Sequence, residues 1–259
     1  MSDTLIWISG ATQGIGLGLA KNCPFPGAKI INISRRPHPD YETVTCDLTD
    51  PASWDAVSQD FAARLANFRG KRAIFIHNAN YQDKPGIIGV QDQGDYRRSV
   101  YANVAASLVL GEAFVRACRP DFESGLVMLS SDSAALTIPG LATYCAAKVG
   151  VEHWCEVVRR ERLQLGQGPW VVAVRPGAVI TPTVLASANM DPKVFPGATR
   201  VKEGLKHRVD IDEAGRRIWA KLPPPPGIST ISFGVDPATK LDRKFTDDQV
   251  LMVFPGKEV

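Results

Sequence analysis

A tyrosine stands four residues before a lysine in Tyr144-Cys145-Ala146-Ala147-Lys148. On a helix that spacing puts both side chains on one face, one turn apart. A phenol with an ordinary pKa near 10 is a poor acid or base at neutral pH, so proton transfer would call for a fixed cation that lowers it. Lys148 is spaced to be that cation, and acid–base catalysis is the chemistry expected of the pair. Tyr-x-x-x-Lys by itself also recurs in purely structural helices. Ser131 adds a hydroxyl in Ser130-Ser131, at the end of the apolar run Leu126–Ser130, which reads as a strand. Open α/β sheets hold ligands in the crevice at that end of their strands.

A second set of residues suits an anion. Thr4–Ser9 reads as a strand and runs directly into Gly10-Ala11-Thr12-Gln13-Gly14-Ile15-Gly16, a glycine-rich turn that opens a helix. Glycines permit positive φ and close approach of the backbone to a pyrophosphate, while the first-turn N–H groups and the helix dipole attract negative charge. At the end of the second strand a reader of a ribose 2′-hydroxyl would be Asp or Glu. Here Ser34-Arg35-Arg36 offers guanidinium forks for a 2′-phosphate instead, so NADP(H) is expected over NAD(H). In Asp47-Leu48, Asp47 either accepts from the adenine amino group or starts the turn before Asp50.

Positioning these groups requires a sheet with helices on both faces. Short β-branched runs alternate with segments of helical period, the pattern of βαβ units around a buried parallel sheet. Seven strands are expected: Thr4–Ser9, Ala28–Ile33, Thr43–Cys46, Ala73–His77, Leu126–Ser130, Trp170–Val174 and Ile228–Phe233. The clearest helix has Asp50 as N-cap and Pro51 in its first turn. It places Trp54, Val57, Phe61, Leu65 and Phe68 in one sheet-facing stripe. Cys23-Pro24 implies an early stop to the first helix. Two longer helices, Tyr96–Cys118 and Tyr144–Leu165, carry more apolar surface than one stripe requires, so a homodimer or homotetramer through them is expected. Thr183–His207 is long, mixed and broken by proline and glycine, and is expected to be a substrate-covering lid.

The chain has 259 residues, 44% hydrophobic and 22% charged, and 30 Lys+Arg against 27 Asp+Glu leave a net charge of +3. That is ordinary globular composition and argues against a nucleic-acid binder. One α/β domain over 1–259 is expected. No unbroken apolar run approaches the roughly 18 residues of a membrane span, and no signal peptide is evident, so a cytoplasmic address is expected. Cys23, Cys46, Cys118, Cys145 and Cys155 form no C-x-x-C pair, and the four histidines lack ligand spacing. Neither a disulfide framework nor a metal site is expected.

With these motifs in this order, the sequence resembles a classical short-chain dehydrogenase/reductase from Thr4 to about Phe233. The resemblance implies a Rossmann-type, doubly wound, seven-stranded sheet with Gly10, Gly14 and Gly16 in the cofactor loop. Ser131, thirteen residues before Tyr144, resembles the catalytic serine, Tyr144 the acid/base and Lys148 the ribose-binding lysine. Asn103 in Asn103-Val104-Ala105 resembles the water-holding asparagine. Arg175-Pro176-Gly177-Ala178-Val179-Ile180-Thr181 is similar to the family's P-G loop, where the Val179 backbone and the Thr181 hydroxyl would hold the nicotinamide carboxamide. The family's N-N-A-G stretch is altered to His77-Asn78-Ala79-Asn80. Asn78 and Ala79 remain expected cofactor contacts. Asn80 is expected to keep a left-handed turn, and His77 to replace a structural hydrogen bond between strands.

The activity implied is NADPH-dependent reduction of the carbonyl group of a small molecule to an alcohol. A non-catalytic NADP-binding sensor or scaffold is the alternative. Joint retention of Ser131, Tyr144, Lys148 and Asn103 argues against it, because a pure binder needs neither the serine nor the tyrosine. The apolar residues Val184, Leu185, Met190 and Phe195 suggest a hydrophobic or aromatic substrate.

Overall fold

A computed structural model of the chain describes residues 2–234; the stretch 235–259 of the expected domain lies outside the described residues. Seven parallel strands form one sheet in the order β3-β2-β1-β4-β5-β6-β7. They are β1 (Thr4–Ser9), β2 (Lys29–Ser34), β3 (Glu42–Thr45), β4 (Arg72–His77), β5 (Glu123–Leu129), β6 (Trp170–Arg175) and β7 (Thr230–Ser232). Order reverses between β1 and β4, which makes their C-terminal ends the crevice of a doubly wound sheet. All seven expected strands are present, with ends moved by at most three residues. The largest move is at β5, whose polar start Glu123-Ser124-Gly125 hid it. Glu123 pairs with Arg72 of β4 at 2.8 Å, and a Cβ on Gly125 would lie 2.1 Å from the Trp170 ring.

Every residue of β1 is buried, so the strand feeds both faces of the sheet. Leu5 and Trp7 join one apolar core; Ile6 and Ile8 join the other. The first core lies under α2 (Trp54–Ala66), α4 (Ala106–Ala117) and α5 (Ala142–Leu165). The second lies under α1 (Gly14–Lys21) and α8 (Ile211–Trp219). The expected stripe Trp54, Val57, Phe61, Leu65 and Phe68 is buried throughout. Its start differs: Asp50 Oδ1 accepts from Ala52 N at 3.1 Å, and Pro51–Ser53 make a 3-10 turn before the α-helix begins.

The expected helix Tyr96–Cys118 is a continuous 25-residue helix, Gln93–Ala117, of three parts. They are α3 (Gln93–Val100), a π-turn over Tyr101–Ala105, and α4. By length and composition this helix is apolar enough to cross a membrane, with a mean hydropathy of 1.2 over its best window. Counting only unbroken apolar runs overlooks that. Its inner face, with Ala106, Leu110 and Phe114 fully buried, packs into the first core as a core helix does. The stretch Thr183–His207 is folded rather than irregular. It holds most of α6 (Pro182–Ala188) and all of α7 (Ala198–Gly204), with Phe195 buried between them.

Candidate active site

The turn after β1 has the backbone that an anion cradle needs. Gly10 and Gly14 take φ of +73° and +58°, and a Cβ on Gly16 would lie 2.2 Å from the Gly10 carbonyl oxygen. Helix α1 opens at Gly14 with no side-chain cap and no acid in its first turn, leaving its N–H groups directed at the turn. The neighbouring strand holds this shape: buried Asn32 accepts from Ala11 N at 3.1 Å, and Gly10 N donates to Ile33 O at 2.9 Å. A cleft of about 280 Å3 runs from here along Ser34–Arg36 after β2, Asp47-Leu48 after β3 and Asn78-Ala79 after β4. These residues fit a dinucleotide: the cradle admits only backbone, and its far end carries two arginines.

Arg35 is 70% exposed and its Nη1 stands 4.0 Å from Asp47 Oδ2. The Asp47 carboxylate is itself tied into a turn, accepting from Thr49 N at 2.9 Å and Thr49 Oγ1 at 2.8 Å. The turn expected of Asp47 is thus formed through Oδ1, while Asp47 stays on the wall of the cleft.

Below the cleft, His77 joins three elements in a chain of hydrogen bonds whose direction can be worked out. Ser9 Oγ accepts from Asn78 N at 2.8 Å and Ala79 N at 2.9 Å, so its own hydrogen is free for His77 Nδ1 at 3.1 Å. His77 Nε2–H then donates to Ser107 Oγ at 2.9 Å, and Ser107 donates to Asn103 O at 3.0 Å. Burial lowers the His77 pKa to about 3, with the Lys148 charge adding to it, so the ring stays neutral. The interstrand bond expected of His77 is therefore formed, between β4 and β1. The left-handed turn expected at Asn80 is not: no non-glycine residue among those described has positive φ. Ser9, gripping two successive N–H groups, shapes that turn instead.

Asn103 is buried and tied to the loop after β4. Its side chain accepts from Tyr81 N at 2.8 Å and donates to Tyr81 O at 2.9 Å, both on the loop after β4, and to Ser99 Oγ of α3 at 3.2 Å. The amide clips the loop after β4 to the helix.

Ser131 and Tyr144 meet on the wall of a second cavity of about 290 Å3, which adjoins the cleft along Ile15, Asn78 and Thr181. The Ser131 hydroxyl hydrogen-bonds the Tyr144 phenol and accepts from Ser133 N at 3.2 Å. Pro176, Gly177 and Val179 line the same cavity, and Thr181 caps α6 by accepting from Val184 N at 3.2 Å. Gly16 lies beneath the cleft and packs on Gly10 and Asn78.

Lys148 requires a correction. Its Nζ is 5.4 Å from the Tyr144 ring centre and donates to Leu129 O at 2.8 Å. Burial pushes the Tyr144 phenol above 10, opposed by the Ser131 hydrogen bond; a lowering by Lys148 is not what this geometry produces. Burial also brings Lys148 down to about 8, opposed by the Glu152 charge.

Glu152 is a residue the sequence reading missed. It lies one turn beyond Lys148 on α5 and makes a bidentate pair with Arg175 at 2.7 and 2.6 Å, while Ser130 donates to it at 2.6 Å. One carboxylate thus fixes α5, the end of β6 and the serine loop together. The extension of the Tyr144, Lys148 spacing to Glu152 was its sequence signal.

A glycine-cradled cleft at the switch point of a doubly wound sheet, with Ser, Tyr and Lys beside it, defines a nucleotide-dependent oxidoreductase. The chain belongs to the short chain dehydrogenase family, whose model matches residues 4–191. It is similar to the short-chain dehydrogenase/reductase olcF of Penicillium canescens, at 25% identity over 202 residues and 75% of each chain. It is similar also to the 3-oxoacyl-[acyl-carrier-protein] reductase FabG of Escherichia coli, at 24% identity over 67% of this chain and 72% of that one. A short-chain dehydrogenase structure from Streptomyces avermitilis superposes with a TM-score of 0.72 over 91% of this chain and 89% of the other, at 21% identity.

Proposed function

We propose that this protein is an NADPH-dependent reductase that converts the carbonyl group of a small molecule to an alcohol. The observation that carries the reading is the Ser131 hydroxyl bonded to the Tyr144 phenol on a cavity continuous with the glycine-cradled cleft. The nicotinamide cofactor, when bound, supplies the hydride. Tyr144 donates its proton to the carbonyl oxygen; a phenol held above 10 is protonated at neutral pH, the state that reduction consumes. Ser131 donates a hydrogen bond to the same oxygen and stabilises the charge that develops there. Lys148, fixed by the Leu129 carbonyl, would hold the ribose hydroxyls, and Asn103 sets the loop that carries Asn78 and Ala79. Arg35 and Arg36 would receive a 2′-phosphate. Val179 and Thr181 would hold the carboxamide, and Thr183–His207 would cover the substrate.

Replacing Tyr144 by Phe removes only the transferable proton. Turnover in an NADPH-oxidation assay across aldehydes, diketones and quinones should fall by about 100-fold or more, with NADPH binding by fluorescence titration kept. A variant that turns over at the wild-type rate overturns the assignment.

A further inference from the structure

Asp83 stands on the loop between β4 and α3, only 9% exposed, and lines the same cavity as Ser131 and Tyr144. Its carboxylate accepts from the Ser99 hydroxyl and from its own backbone N–H. Ser99 is fully buried on α3 and accepts in turn from Asn103 Nδ2 at 3.2 Å, so the π-turn amide steadies the carboxylate. Among the described residues no cation pairs with Asp83, and Arg98 of α3 is directed to Asp92 and Asp95. Burial pushes the Asp83 carboxyl above the usual carboxylate range, with the Asp95 charge adding to it. A buried carboxylate without a counter-ion is costly, and the groups that offset this cost are cations.

The rest of the cavity says what else the ligand must be. Ile138, Leu141, Val184 and Phe195 present apolar surface. About 290 Å3 must also admit the nicotinamide end of a cofactor beside Ile15 and Val179, so the substrate skeleton is compact. We propose that Asp83 is the specificity residue of this cavity, and that the substrate is a compact, largely apolar carbonyl compound bearing a protonated amine that Asp83 receives. This rests on the reductase reading and adds the substrate class to it. The ammonium group would neutralise Asp83, whose charge contributes to holding the Tyr144 phenol up.

The test uses the whole protein, NADPH and three ketones of one shape: 4-(aminomethyl)acetophenone, 4-(hydroxymethyl)acetophenone and 4-ethylacetophenone. In the wild type kcat/KM should fall in that order, by about tenfold or more from first to last. In Asp83→Asn, which keeps an acceptor for Ser99, the ratio between the first and last should shrink to about twofold or less. Equal turnover of the three by the wild type overturns the proposal without any variant being folded. An unchanged ratio in Asp83→Asn overturns it too, because a purely structural Asp83 would lower all three alike. If none of the ketones is reduced, calorimetry on the NADP-loaded wild type decides Asp83 separately, and the reductase reading is decided by the assay across aldehydes, diketones and quinones. Binding of 4-methylbenzylamine about tenfold tighter than 4-methylbenzyl alcohol supports it, and equal binding overturns it.

Discussion

Arg35 and Arg36 stand at the end of β2 on the wall of the cleft that begins at the glycine turn. Arg35 keeps most of its surface in solvent, and its one ion-pair contact among the described residues, with Asp47, is long at 4.0 Å. Little protein structure therefore depends on it, and a phosphate arriving there would meet a guanidinium already free to form a fork. Charge-assisted hydrogen bonds of this kind contribute roughly 1.5–3 kcal/mol each. Changing Arg35 and Arg36 together to Ala should raise KM for NADPH by about 10- to 100-fold, and KM for NADH far less. Steady-state kinetics with both cofactors checks this; equal rises would show that the arginines do not read the phosphate. At this scale the sequence was most legible where chemistry is local. Tyr144 and Lys148 share a helix turn, and the glycines sit in one loop. Ser9 and His77 were not legible as a pair, because 68 residues separate partners that only the β1–β4 pairing brings together. Lys148 was legible as a residue but not as an electrostatic effect, since the direction of its ammonium depends on the Leu129 carbonyl.

Helix α1 can cradle an anion only if its first turn stays against β1, and α8 is what presses on its other side. The two backbones touch through glycines: a Cβ on Gly18 would lie 1.9 Å from the Ile211 carbonyl oxygen, and one on Gly215 would lie 2.4 Å from the Gly18 carbonyl oxygen. Backbone atoms cannot yield as a flexible side chain can, so Gly18→Ala must separate the helices. Overpacking of this kind costs about 1–3 kcal/mol, and a chain of this size loses roughly 2–4 °C per kcal/mol. The expected result is a melting temperature lower by about 3–10 °C together with weaker NADPH binding, read by thermal unfolding with and without cofactor. An unchanged melting temperature would mean that the helices are not held by this contact. Elements with strong period were readable in advance, and the α2 stripe is the clearest case. Helices α6 and α7 were hidden because each has only seven residues, too few for a period to show, with Pro192, Pro196 and Gly197 between them. The π-turn was hidden for a different reason: the Asn103 clip on Tyr81 that accompanies it is a tertiary contact.

For the whole molecule, the question is what covers the outer face of α4 and α5. Both lie over the first core, and they cross closely, since a Cβ on Gly111 would meet the Trp154 ring at 2.8 Å. The two helices thus present one continuous surface. On it Val109 and Val157 remain 44% and 42% exposed, with Tyr101 of the π-turn 45% exposed. Scattered apolar residues are normal on a surface, but exposed branched side chains on each of two adjoining helices suit cover by a second copy of the same face. An isologous contact across a two-fold axis would bury each valine against the partner and leave the cavity mouths free. We therefore expect a homodimer or homotetramer at micromolar concentration by sedimentation velocity. Changing Val109 and Val157 together to Glu should place like charges across that axis and shift the protein toward monomer, while its far-ultraviolet spectrum stays that of the folded chain. A wild-type protein that sediments as a monomer would refute the assembly. A charged double variant that keeps the wild-type sedimentation coefficient would instead move the interface off these two helices.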